Sequence, residues 1–126
     1  MADVDDGSIV NDDDLLRRVR PDQVVDDENL GMRRPSSAAF KDPELSVDSE
    51  NILKRNGLDW KFSLNGYDGY SLARFRAGAA RQVGLPVIHT PLADNPAHVE
   101  VHGKKTQRIA NSLVAACWWA HIEPKK

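Results

Sequence analysis

Three side chains able to do chemistry together alternate near the end of the chain: His98, Glu100 and His102, within NPAHVEVHGKKT at 95–106. On an extended strand every second side chain points to the same face. That spacing puts two imidazoles and a carboxylate within reach of one substrate. A carboxylate beside a histidine can orient it for proton transfer. His98 follows Asn95-Pro96, at a loop–strand junction of the kind that presents functional side chains. If the protein is an enzyme, His98 and Glu100 are the expected catalytic pair. Imidazole and carboxylate are also zinc ligands, but His-x-Glu-x-His is not the helical His-Glu-x-x-His motif, so neither metal nor other cofactor is expected. Packing alone explains the same alternation, with Ala97, Val99 and Val101 facing a core and the polar residues facing solvent.

Immediately after comes Gly103-Lys104-Lys105-Thr106, between an expected strand and an expected helix. A helix start exposes unpaired N–H groups that welcome an anion. Gly103 permits a tight turn, Thr106 can cap the helix, and Lys104, Lys105 and Arg108 add positive charge. The stretch is not a P-loop, because the glycine required five positions before Gly103 is His98. Lysines at a helix N-terminus oppose its dipole, and local rules are most often broken at functional sites. A phosphate-bearing ligand is therefore expected here. Arg33 and Arg34, in MRRPSS beside Ser36 and Ser37, could bind a second charge, although turn chemistry explains that stretch equally well.

These residues need elements to position them. Residues 1–14 hold six aspartates and no base, which predicts a mobile acidic arm ahead of a single domain over 15–126. Acids ahead of Leu15-Leu16, with arginines behind, predict a short helix ended by Pro21. Ser36–Phe40 and LSVD (45–48) read as short strands. Asp48 or Ser49 can cap a helix through Arg55 that Gly57 stops. The alternation Leu58, Trp60, Phe62, Leu64 reads as a strand, joined through Asn65-Gly66 and Asp68-Gly69 to a second over 70–75. An Ala-rich helix ends at Gly84, LPVIH (85–89) follows as a strand, and a last helix runs from Thr106 to Ile122. The fold class is α+β, with three to five strands and the C-terminal helix packed on one face. On that helix Ile109, Ala110, Leu113, Val114, Ala116, Cys117 and Ala120 share an apolar face. Trp119 lies nearly opposite with Arg108, as a candidate partner contact. Cys117 reads as a buried, inert thiol.

A chain of 126 residues, 40% apolar and 29% charged, can bury a core without metal or disulfide staples. One cysteine excludes an internal disulfide. With no long apolar run and no signal-peptide pattern, a cytoplasmic protein without membrane contact is expected. The net charge of −2 divides into −8 over residues 1–50 and +6 over residues 51–126. A basic half attracts phosphate, and an acidic arm attracts a basic partner, unless both are plain solvated surface.

RPSSAAF, GYSLARFRAGAARQVGLPVIHTPLADNPAHVEV and GKKT resemble stretches of a group of small bacterial proteins, over residues 15 to 120. The resemblance implies a bacterial origin and one shared site for His98 and Lys104, and it brings no activity with it. Two functional readings follow. In one, a nucleotide or nucleic-acid end binds at the basic turn, with His-assisted chemistry if there is any. In the other, a non-enzymatic interaction module, such as an accessory or neutralising partner in a bacterial operon, uses the acidic arm and Trp119.

Overall fold

Asp14–Val19 is a strand (β1), where the charge order around Leu15 and Leu16 predicts a helix. Its neighbours explain the difference. β1 pairs antiparallel with Glu44–Ser49 (β4) on one side and with Ser71–Arg76 (β5) on the other. It therefore lies inside a sheet, and Leu15 and Leu16 are buried on opposite faces. Two consecutive leucines suit a strand covered on both faces as well as they suit a helix start. The computed structural model describes residues 4–124, so the first three residues of the expected arm lie outside them.

Val87–His89 (β6), His98–His102 (β7) and Trp118–His121 (β8) complete a sheet of order β6-β7-β4-β1-β5-β8, every neighbouring pair antiparallel. Val24–Asp27 (β2) and Met32–Pro35 (β3) form a separate hairpin. Among the described residues eight strands replace the expected three to five. The α-helices among the described residues are Glu50–Arg55 (α1), Ala77–Gln82 (α2) and Gln107–Ala116 (α3), and none is long and apolar enough to cross a membrane. Ser49 caps α1 by accepting from the Ile52 N–H, and Gly57, with φ +72°, ends it. Two short stretches expected as strands are 3-10 helices, Ser37–Phe40 and Trp60–Leu64, each entered through a side-chain cap from Ser36 or Asp59. Those caps hold the backbone helical, over 60–64 against a period-two pattern.

One face of the sheet carries Leu15, Leu45, Val47, Phe75, Val99 and Val101 under α3 and the 37–40 turn, with Phe40 edge-on to Phe75 at 5.8 Å. The other face is covered beside β1 and β5 by α1 and the 60–64 turn. Asp48, only 1% exposed, sits under that cover. It accepts from Ser63 Oγ at 2.6 Å and from Asn95 Nδ2 at 2.8 Å, and Arg18 lies 3.7 Å away.

Residues 5–13 are held against the sheet, where a mobile arm is expected. Ile9 is buried, and Asp13 accepts from Ser49 Oγ at 2.5 Å and from the Asn51 N–H at 3.1 Å. Asp5 and Asp6 close the outer edge of β6. Asp5 Oδ1 accepts from the Val87 N–H, the Asp6 N–H donates to the Val87 carbonyl, and Asp6 Oδ2 accepts from the His89 N–H. Arg81 fastens this segment, reaching Asp5 Oδ1 at 2.9 Å, Asn11 Oδ1 at 2.7 Å and the Asp6 carbonyl at 2.9 Å. Burial alone would raise the Asp5 carboxyl, but the Val87 N–H and Arg81 outweigh it and hold it below its ordinary value. Specific partners and one buried isoleucine thus supply the ordering energy that composition alone does not reveal.

Two outcomes follow. Asp48→Ala strands Asn95, Ser63 and Arg18, and denaturant unfolding will show a loss of about 3–5 kcal/mol, with Asp48→Asn losing less. Arg81→Ala frees the acidic segment, so the Val87 and His89 amides will exchange roughly tenfold faster or more while amides of β1 stay protected. Unchanged exchange at Val87 would mean that Asp5 and Asp6 hold the edge without Arg81.

Candidate functional site

β7 carries its side chains as the alternation predicts: Ala97, Val99 and Val101 are buried on the α3 face, and His98, Glu100 and His102 share the opposite one. In the register with β4, Asp48 stands opposite His98, Ser46 opposite Glu100, and Glu44 opposite His102. The three candidate residues nevertheless meet different surroundings along the strand.

His98 is only 8% exposed. Its Nδ1 lies 2.9 Å from both the carbonyl and the hydroxyl of Thr90, and its Nε2 lies 3.3 Å from Ser46 Oγ. A carbonyl can only accept, so Nδ1 carries the proton of the neutral ring, and Nε2 is left to accept from the serine hydroxyl. This histidine, on β7, ties Thr90, just past the end of β6, to Ser46 on β4, and it lines neither of the clefts that hold the other candidates. General acid–base work needs a substrate within hydrogen-bond reach, which burial denies His98 in this conformation. Glu100 is bonded to the neighbouring histidine instead, with His102 Nε2 2.8 Å from its Oε1.

The turn from β7 to α3 is stapled from within. Gly103 has φ +113°, a conformation that favours glycine, and a Cβ there would come within 2.9 Å of Leu85 Cδ2 and displace that methyl. Its N–H already donates to the Pro43 carbonyl. Lys105 is buried, and its ammonium donates to the carbonyls of Val101 (2.6 Å), Gly103 (3.0 Å) and Pro43 (3.2 Å). Thr106 caps α3 by accepting from the Ile109 N–H. Of the five residues expected to meet an anion, Gly103, Lys105 and Thr106 are thus committed to the fold, and Lys104 and Arg108 remain exposed. A cleft of about 450 Å³ opens beside the turn, lined by Lys41, Glu44, His102, Lys104 and their neighbours.

Arg33 and Arg34 do not join this group. They line a larger cleft of about 710 Å³ between the β2–β3 hairpin and α3–β8. Arg34 pairs with Asp27 at 2.9 Å, and Arg33 donates to the Glu123 carbonyl at 3.0 Å. Trp119 is half-buried and donates through Nε1 to the Arg33 carbonyl at 3.1 Å. The exposed tryptophan is Trp118. The reason is that α3 ends at Ala116 and not at Ile122; along β8 successive residues then take opposite faces, and Trp119, opposite Ala73, turns toward the core. Cys117 bonds the Val114 carbonyl through Sγ, and burial pushes its thiol up to about 11. Sequence reasoning passed over Glu44, Lys41, Trp118, Leu30 and Met32. An exposed strand-start acid and two apolar hairpin residues carry no local signal; only the pairing of distant segments assembles them.

Burial pushes the Lys105 ammonium down from 10.5 to about 8, with Asp42 opposing the shift. Below pH 8 both folded and unfolded chains hold this proton, and between about 8 and 10.5 only the unfolded chain does, so this residue's contribution to stability rises with pH across that window. A ¹³C-detected titration of the lysine side chains will show Lys105 changing charge near pH 8, and the stability of Lys105→Met will lack this rise relative to the parent. Titration of Lys105 at the ordinary lysine value would mean that the three carbonyls fully compensate its burial. Compared with known proteins, the chain matches no family model, no curated protein and no solved structure.

Proposed function

We propose that the protein is an interaction module that takes an extended segment of a partner protein into the cleft between the β2–β3 hairpin and α3–β8. One observation carries this reading: Leu30, Met32 and Trp118, exposed by 64%, 55% and 40%, all border that single cleft. Large apolar side chains held in water around one concavity mark a binding surface, and Trp and Met are favoured at its energetic centre.

The chemistry of the lining selects an extended, apolar-sided occupant. Asp26 and Asp27 face Arg33 and Arg34, so the walls carry no net sign to attract a strongly charged partner. Gln107, Asn111 and Ser37 supply amide and hydroxyl groups of the kind that meet a peptide backbone. The cleft reaches β8, the outermost strand on its side of the sheet, where a partner strand could extend the ladder. The opposite edge, β6, is closed by Asp5 and Asp6. The acidic segment is the weaker docking element, because its inner carboxylates, Asp5, Asp6 and Asp13, already have partners within the chain.

A phosphate-bearing ligand at the β7–α3 turn is the second reading. It is supported by Lys41 and Lys104 in the smaller cleft. It is the weaker one, since the turn's N–H, its buried lysine and its threonine hydroxyl are already engaged.

Selection from a library of random linear peptides, followed by an amide-resolved NMR titration, separates the readings. The first expects enriched peptides with alternating apolar residues, shifts confined to 25–37 and 107–119, slowed exchange along β8, and a loss of about thirtyfold in affinity for Trp118→Ala. Peptides that leave β8 untouched, or a chain that dimerises through β8 and binds none, overturn it. Saturable shifts at 103–106 with inorganic phosphate or mononucleotides, lost in Lys104→Ala, would support the second.

A further inference from the structure

We infer that Glu44, Glu100 and His102 form a binding site for one divalent transition-metal ion of the zinc and manganese type. Each residue offers one ligand atom, and these three atoms lie within 4.8 Å of one another. Their convergence comes from two paired strands. Glu44 is registered opposite His102 across β4 and β7, and Glu100 lies two residues before His102 on the same face. Strands fix such a triangle more firmly than loops do. The spacing between Glu100 Oε1 and His102 Nε2, 2.8 Å, is already close to that of adjacent ligands around an ion bound at about 2.0–2.2 Å. Only Glu44, which is exposed and free to change rotamer, has to close on the other two.

A second, independent observation is electrostatic. Among the described residues neither Glu44 nor Glu100 has a lysine or arginine ion-pair partner. Of the nearby lysines, Lys104 lines the same cleft without forming an ion pair among the described residues, and the other two bond elsewhere. Lys105 donates to three carbonyls, and Lys41 donates to Gln107 Oε1 at 2.6 Å. Two carboxylates on one small area, neither held by a lysine or arginine among the described residues and one already against an imidazole, form a site that a cation completes. The histidine nitrogen turns the preference from calcium and magnesium, which take oxygen shells, toward zinc, manganese or cobalt. Three protein ligands leave further positions for water or a substrate oxygen, and these open into the cleft that Glu44 and His102 line with Lys104. This inference is independent of the partner cleft at β8.

The test uses the full chain stripped with a chelator, titrated with cobalt(II) for its visible absorption and with zinc by calorimetry. One ion per chain is expected, with chemical-shift changes centred on Glu44, Glu100 and His102. Glu44→Gln, Glu100→Gln and His102→Ala will each weaken binding about tenfold or more, the order expected for loss of part of a metal shell. Glu44→Gln alters an exposed side chain and keeps the comparison valid if a β7 variant fails to fold. Asp12→Asn, in the exposed part of the acidic segment, will leave binding unchanged. No cobalt spectrum at millimolar metal, equal affinity in the Glu44 variant and the parent, or a loss on Asp12→Asn would each overturn the proposal.

Discussion

The buried carboxylate of Asp48 is the constraint on which the arrangement of the polar face depends. A charge removed from water is tolerated only where its oxygens are satisfied, and an unpaired one costs several kcal/mol. Asp48 finds its partners in three separate parts of the chain: Ser63 on the 60–64 turn, Asn95 in the loop before β7, and Arg18 on β1. Closing that network fixes where the 90–97 loop ends, and so where β7 begins against β4. Asn95 tightens the same junction by accepting the Ala97 N–H at 3.0 Å. The register that sets His98 against Asp48 is the register that sets His102 against Glu44 two rungs further on. The placing of Glu44, Glu100 and His102 together is thus downstream of a carboxylate that is not among them.

The division of charge between the two halves of the chain is answered largely inside the molecule. Basic residues of the second half meet acids of the first: Arg74 holds Glu50 through two bonds of 2.9 and 2.8 Å, Arg81 holds Asp5, and Arg76 lies 3.8 Å from Asp12. The pattern that predicts outward attraction, to phosphate at one end and a basic partner at the other, is to this extent a pattern of self-recognition. It also disposes of one sheet edge. An unpaired edge strand invites foreign strands, and β6 is blunted by carboxylates that accept its N–H groups. β8 has no such cover from the acidic segment and carries Trp118 instead. The two edges are treated differently, and that asymmetry separates a closed side of the sheet from an open one.

How much of this was legible depends on the range of the interactions that decide each element. α1, α2, β6 and β7 could be read because their signals are local: Ser49 as cap, Gly57 and Gly84 as stops, and the alternation from Ala97 to His102. β1 could not, since its place inside the sheet depends on neighbours that begin 30 and 57 residues after it does. The 58–64 stretch alternates like a strand, but the Asp59 cap overrides the pattern. The tail of α3 fails for a related reason. Its apolar face continues in register to Ala120, yet pairing with β5 draws residues 118–121 into the sheet and exchanges the roles of Trp118 and Trp119. At the site, the shared face of His98, Glu100 and His102 was legible, whereas Glu44 required the β4–β7 register. Lys105 shows the limit most plainly. Its charge suggests an anion, but the geometry turns the ammonium inward to cap carbonyls of the chain itself.

That inward lysine bears on how the two proposed sites relate. α3 starts just after the turn that Lys105 staples and ends just before Trp118, so one helix of about 15 Å spans from one site to the other. Its first turn is tied to the 37–41 segment, where Gln107 accepts from Lys41 and donates to Ser37 Oγ at 2.9 Å. Leu113 anchors its middle in the core. A helix pinned at its start and middle has little freedom at its end, so the cleft wall formed by Asn111, Val114 and Ala115 is presented in a fixed place. Preformed walls favour binding because less order is lost when the occupant arrives. The buried ammonium thus acts through the turn, holding the start of the helix that shapes the cleft at the far end.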